Sequence, residues 1–335
     1  MSSRVAQAKE FLNAAGWDGA EITSLAGDAS FRRYDRVNLG SRKAVLMDAP
    51  PEKEDIKPFL SICRHLLSLS YSAPQIISED QKAGFILLED FGDTTFTHRL
   101  QEGADEQTLY EGAVNLLIDL HGRPADSAVP PGLPMYDTDR YLDEAYLLTD
   151  WYMPQVTNSS DEARQAYEAV WRSLTPRASA LPETLVLRDF HADNLMWLPD
   201  RPDVAACGLL DFQDALAGSP AYDLMSLLED ARRDLTPGLA DNLLAKYLAA
   251  FPDLDRETFE TAYKILAAQR HCKVIGIFTR LSVRDGKPDY LIHLPRVWRL
   301  LENACTAPVL KPLNDWLEKW LPTPLRSLNY TAGLK

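Results

Sequence analysis

The chain predicts an α+β fold in two parts: a small lobe built on an antiparallel sheet, then a larger, mainly helical lobe. Three observations carry this. Short apolar runs bounded by Gly, Pro, Asp and Asn crowd the stretch before residue 92. Stripes of apolar residues at helical spacing dominate after it. A loop bearing Asp and Asn lies between two further strand-like runs near residue 190. The expected boundary separates residues 1–92, with a hinge at 88–92, from residues 93–335.

Val5, Ala8, Phe11 and Leu12 recur at helical spacing and Gly16 ends the pattern, so the chain opens on a packing helix. Residues 22–37 read as strand, small-residue turn, strand. The turn holds Gly27, Asp28, Ala29 and Ser30, whose backbone N–H groups could approach an anion closely; an ordinary hairpin is the alternative. Arg32 and Arg33 follow. On a strand they face opposite ways, so one of them is expected to reach that anion. Residues 43–49 form the next strand. Residues 50–55 lead into a helix with acidic residues at its start and Phe59, Ile62, Cys63, Leu66 and Leu67 on one face. Residues 74–78 and 84–93 read as strands, the second too continuous for an exposed strand and too short for a helix.

Leu109, Ala113, Leu116, Leu117 and Leu120 make an amphipathic helix, with His121 as a solvent-facing cap. Residues 139–154 read as a second helix. Its acids Asp143, Glu144 and Asp150 form a solvated face or, beside Trp151 and Tyr152, partners for sugar hydroxyls. Pro220 marks a helix start, with Asp223 in the first turn as a tether for the backbone of the loop near residue 190. A long helical region covers 257–283. The cluster at 269–273, which includes Arg270, is either a salt-bridged packing site or a substrate contact. Trp298, Trp316 and Trp320 belong to small closing helices.

Composition excludes some classes. A net charge of −14 argues against a nucleic-acid binder, which needs a basic face. The four cysteines have no metal-ligand spacing and read as buried thiols. No run reaches the ~18 apolar residues of a membrane span, and the first residues lack the apolar core of a signal peptide. A cytoplasmic protein, acting as a monomer, is expected.

The chemistry is concentrated in the loop. Asp189 precedes Asn194 by five positions, and Asp211 follows a second apolar strand. Phosphoryl transfer needs this set: one carboxylate to orient an attacking hydroxyl and accept its proton, and a second carboxylate with an amide oxygen to hold Mg²⁺ on nucleotide phosphates. Asp189 fits the first role; Asn194 and Asp211 fit the second. ATP would then lie under the turn of Gly27, Asp28, Ala29 and Ser30. Its adenine would meet backbone near Glu89 and Phe91. Met47 occupies the strand position where kinases carry a phosphate-binding lysine. The missing charge would come from Arg32, Arg33 or Lys43, or else the protein is a non-catalytic nucleotide-binding relative.

Leu187-Arg188-Asp189-Phe190-His191-Ala192-Asp193-Asn194, Leu210-Asp211-Phe212 and Tyr222-Asp223-Leu224 resemble the aminoglycoside phosphotransferase/choline kinase superfamily, relatives of protein kinases. Leu187 stands where the superfamily has a histidine. Gly27 to Tyr34, Leu46 to Pro51, Asp150-Trp151-Tyr152, Gln269-Arg270-His271 and Arg284 to Pro288 resemble the bacterial anomeric kinases of N-acetylmuramate and N-acetylglucosamine, which also have Met in place of the strand lysine. The resemblance implies a protein-kinase-like fold and ATP-dependent phosphorylation of an amino-sugar 1-hydroxyl in cell-wall recycling. Candidate substrate residues are Glu144, Asp150, Arg188, Asp214 and Arg270. A cationic acceptor (an aminoglycoside, choline or homoserine) is the competing substrate class.

Overall fold

The computed structural model describes residues 3–25 and 31–327. The phosphate-covering turn expected at Gly27, Asp28, Ala29 and Ser30 lies outside the described residues. By compactness the chain separates into two units, Met1–Leu116 with Ala192–Asp214, and Leu117–His191 with Ala215–Lys335.

The first unit is built on a five-stranded antiparallel sheet of β1 (Glu21–Ser24), β2 (Arg33–Leu39), β3 (Arg42–Asp48), β4 (Ile76–Asp80) and β5 (Phe85–Glu89), in the order β1-β2-β3-β5-β4. Alternation along the strands divides its faces. Val37, Ala44, Leu46, Phe85 and Leu87 turn to one side, onto Phe11 and Leu12 of helix α1 (Ser3–Ala14) and onto Trp17. Each fully buried side chain of this kind contributes about 1.5–3 kcal/mol. Arg36, Val45 and Leu88 turn to the other side, towards a cavity.

The same unit takes in a hairpin from beyond residue 92. Its strands are β7 (Leu195–Trp197) and β8 (Cys207–Leu209). The Leu209 N–H donates to the Ser72 carbonyl at 2.7 Å, and the Trp197 N–H to that of Thr94 at 2.8 Å. Helix α2 (Lys57–Ser68) stacks Phe59 on Phe212, with ring centroids 5.1 Å apart.

In the second unit the axis is the helix Arg256–Asp285, two residues longer than expected at its C-terminal end. Its polar cluster does not interrupt it: Gln269, Arg270, His271 and Lys273 are all buried and partnered from neighbouring elements. The single helix expected over 139–154 is three pieces, Thr138–Leu147, a π-helical turn Leu148–Tyr152, and Met153–Val156. Pro154 has no N–H to give the preceding turn, so the helix resets there. Gly276 of the central helix backs onto this segment; a Cβ there would sit 2.2 Å from the Leu147 carbonyl carbon, so only glycine fits.

A short ladder of β6 (Thr184–Val186) and β9 (Leu216–Gly218) precedes the buried helix Ala221–Leu228. His121 is not a solvent-facing cap: its Nδ1 lies 2.7 Å from the Tyr247 hydroxyl in a half-buried aromatic contact. All four cysteines are buried thiols. Among the described residues no helix is long and apolar enough to cross a membrane.

Candidate active site

The loop that bears Asp189 starts where β6 ends. The Asp223 carboxylate accepts from the Leu187 N–H at 2.6 Å and the Arg188 N–H at 2.9 Å, so the expected tether is present. Burial pushes the Asp223 carboxyl up to about 7, against those two donors and Arg270. The tether holds Arg188 in a left-handed conformation, φ +69°, immediately before Asp189. A non-glycine residue costs of order 1–3 kcal/mol there, and such strain clusters at functional sites.

Asp189 lies among cations of its own unit. Burial alone would raise its pKa; Lys273, Arg270, His191 and Arg188 outweigh that and hold the carboxyl below the ordinary aspartate range. It is therefore an ionised, weakly basic group, suited to orienting a hydroxyl rather than stripping its proton early.

Glu144 organises the cations. Its carboxylate pairs with Arg188 and with Lys273 Nζ at 2.8 Å, and accepts from Gln269 Nε2 at 3.1 Å and from the Tyr136 hydroxyl. Burial opposes its charge, but Lys273 and Arg188 bring the carboxyl down to about 2. Of Asp143, Glu144 and Asp150 only Glu144 is enclosed. Asp143 is exposed, and Asp150 forms a surface ion pair with Arg164. Arg270 is buried against the Tyr222 ring, 6.0 Å from its centroid. The structure thus brings Arg188 and Arg270 to Asp189, ties Glu144 to Arg188, and leaves Asp150 in its surface pair. Lys273, unassigned by sequence reasoning, joins them; no local pattern marks a lysine for burial when its partner is 129 positions away.

The first unit carries the other half of the motif. In the β7–β8 register Leu195 faces Leu209, and the Leu210 N–H donates to the Asn194 carbonyl at 3.0 Å, so Asn194 and Asp211 emerge at the same end of the hairpin. Asp211 has φ +56°. Asn194 and Asp211 both line a cavity of about 500 Å³ that also meets Tyr34, Arg36, Val45, Glu89 and Phe91. Gly208 lies beneath it, where a Cβ would sit 2.8 Å from Leu198 Cδ1 and 3.2 Å from the Phe91 ring.

The Glu89 N–H donates to the Gln75 carbonyl at 2.9 Å and its carboxylate pairs with Arg201. Arg201 also lies 5.0 Å over the Phe91 ring. Arg33 is excluded from the cavity: it pairs with Asp35 at 3.0 Å and Asp48 at 3.5 Å on the opposite face of β2, as strand alternation requires. Arg32 instead reaches Asp211. Asp214 is exposed. Asp193, which accepts from the Thr97 hydroxyl and lines the cavity, was not singled out from the sequence.

The donors fit a hard divalent cation. Asn194 and Asp211 bring amide and carboxylate oxygen to one end of the cavity, the donor set Mg²⁺ accepts when phosphates and water complete its octahedron. Among the described residues no group of three His, Cys, Asp or Glu forms a metal cage by itself.

An antiparallel-sheet unit, a larger helical unit and this split Asp, Asn and Asp set define a protein-kinase-like phosphotransferase. The chain belongs to the phosphotransferase enzyme family, whose pattern matches residues 21–259. It is 35% identical over 360 residues to the N-acetylmuramate/N-acetylglucosamine kinase of Caulobacter vibrioides, covering 97% of this chain and 99% of that protein. It is 36% identical over 321 residues to the kinase of the same name from Pseudomonas aeruginosa, covering 92% of each. Among solved structures, a choline kinase from Streptococcus pneumoniae matches with a TM-score of 0.65 at 13% identity, over 91% of this chain and 100% of that one. An ADP-bound aminoglycoside phosphotransferase matches with a TM-score of 0.59 at 17% identity, over 92% of this chain and 99% of that one. These two likenesses concern the fold.

Proposed function

We propose that this phosphotransferase moves the γ-phosphoryl group of ATP to the anomeric hydroxyl of N-acetylmuramate and N-acetylglucosamine, in cytoplasmic recycling of cell-wall sugars. The observation that carries the chemistry is Asp189, held ionised among four cationic or titratable neighbours on a loop tethered by Asp223. The names of the curated relatives support the sugar.

In this reading the first unit's cavity takes the nucleotide, with the base towards Glu89 and Phe91. Asn194 and Asp211 hold Mg²⁺, which when bound neutralises charge on the phosphates. Asp189 orients the sugar hydroxyl. As the new O–P bond forms and the bond from the γ-phosphorus to the bridging oxygen breaks, Asp189 takes the hydroxyl proton, late in a loose transition state. Arg188, Lys273 and Arg270 keep Asp189 charged; Glu144 keeps Arg188 and Lys273 in place.

A cationic acceptor has less support. It needs carboxylates facing it, whereas Glu144 is engaged by Arg188 and Lys273, and Asp150 by Arg164. The test is incubation with ATP, Mg²⁺ and each sugar, with the product read by ³¹P and ¹H NMR. A 1-phosphate is expected. Turnover of choline or an aminoglycoside with neither sugar phosphorylated would overturn the reading.

A further inference from the structure

Resting on the nucleotide site just described, the geometry points to Arg32 as the residue that supplies, from outside β3, the phosphate-binding charge that Met47 lacks. Met47 is fully buried and faces Tyr34 in the β2–β3 register. It offers no charge to a polyphosphate.

The candidates are the basic residues the sequence left open, Arg32, Arg33 and Lys43, together with Arg36 of the cavity lining. Arg36 lines the cavity, but Asp90 at 2.7 Å and Asp93 at 2.9 Å hold its guanidinium. Arg33 is on the other face of the sheet, against Asp35 and Asp48. Lys43 is exposed and pairs in register with Asn38, the fourth register pair along from Met47. Arg32 remains. It lies one residue before β2, two positions before the cavity-lining Tyr34, and only 8% of it is exposed.

Its contacts have the pattern required. The guanidinium lies 3.3 Å from Asp211 and 3.4 Å from Glu54, the acid just before α2. A kinase strand lysine likewise connects an acid of the neighbouring helix with the phosphates held by the metal-binding Asp. Arg32 makes that connection with a guanidinium. Its planar fork can face a carboxylate and a phosphate oxygen together, as an ammonium cannot.

The test is nucleotide binding, which needs no acceptor sugar. Affinities for ADP and for adenosine are measured by calorimetry or ligand-observed NMR, in Mg²⁺ and in EDTA, on wild type, Arg32→Ala, Arg32→Lys and Arg33→Ala. Arg32→Ala should weaken ADP about tenfold to a hundredfold in both buffers and leave adenosine unchanged. Arg32→Lys should recover part of the loss, and Arg33→Ala should bind ADP as wild type does. Unchanged ADP affinity in Arg32→Ala would overturn the assignment. So would an equal loss of adenosine, which would show a collapsed pocket, or a loss seen only with Mg²⁺, which would show an effect through Asp211 alone. Should Arg32→Ala fail to fold, Arg32→Gln keeps the side-chain bulk and is read by the same criteria. If wild type binds ADP yet phosphorylates neither amino sugar, the substrate reading fails and the Arg32 assignment still stands or falls on these affinities.

Discussion

Two acids, one in each unit, sit beside arginines and have opposite characters. Glu144 is 13% exposed and surrounded by Arg188, Lys273, Gln269 and Tyr136. Asp211 is 29% exposed at a cavity, with Arg32 at 3.3 Å and Gln213 Nε2 at 2.8 Å. The first acid is spent on its own protein. The second keeps solvent access and longer ionic contacts, the state of a carboxylate that a cation can still approach. A closed ion cluster fixes geometry and stability; a partly open one recruits ligands. Desolvation decides between them, because a buried pair that loses one partner leaves an uncompensated charge, whereas an accessible one is rehydrated.

The comparison can be broken at several points. The largest effect is expected from Asp189→Asn, which removes the charge that the second unit's cations maintain. kcat should fall at least ~10³-fold with ADP affinity kept, as steady-state kinetics and calorimetry would read. Near-normal kcat would remove Asp189 from its role.

Glu144→Gln comes next. With Arg188 and Lys273 left buried without their carboxylate, unfolding free energy at pH 7 should drop by about 3–5 kcal/mol in urea titrations, with ADP affinity retained. The pH dependence follows from the lowered pKa. The folded state holds Glu144 at about 2, below its ordinary value of 4.5, so this group's stabilisation is complete above that value and is lost as pH falls towards 2. The gap between wild type and Glu144→Gln should therefore narrow over that window. A constant gap would mean that shape, not charge, was lost.

Asp211→Asn tests the open site. It should leave the melting temperature nearly unchanged and weaken the Mg²⁺-dependent part of nucleotide affinity by roughly tenfold or more. An unaltered Mg²⁺ titration would remove Asp211 as a ligand. Smallest of all, Asp150→Asn breaks only a surface pair with Arg164 and should shift stability by no more than about 1 kcal/mol, with sugar KM unchanged. A raised KM would return Asp150 to the substrate site.

The sequence alone determined the strand-rich first part, the buried cysteines, the long helix over 257–283 and the spacing of Asp189, Asn194 and Asp211. These are written in short-range signals: short apolar runs such as Phe85 to Leu88 bounded by turn residues, helical stripes such as Phe59 to Leu66, and the fixed spacing of Asp189 and Asn194. It also showed that Arg32 and Arg33 must part company. Only the tertiary structure decided which of them reaches Asp211, because that partner is 179 positions away. The same holds for Glu144, which by sequence is indistinguishable from Asp143 and Asp150. Local pattern sets the direction of a side chain relative to its own backbone. Whether that direction leads to water or to a buried cation depends on distant segments, and desolvation, which sets a charge's role, exists only once they have packed.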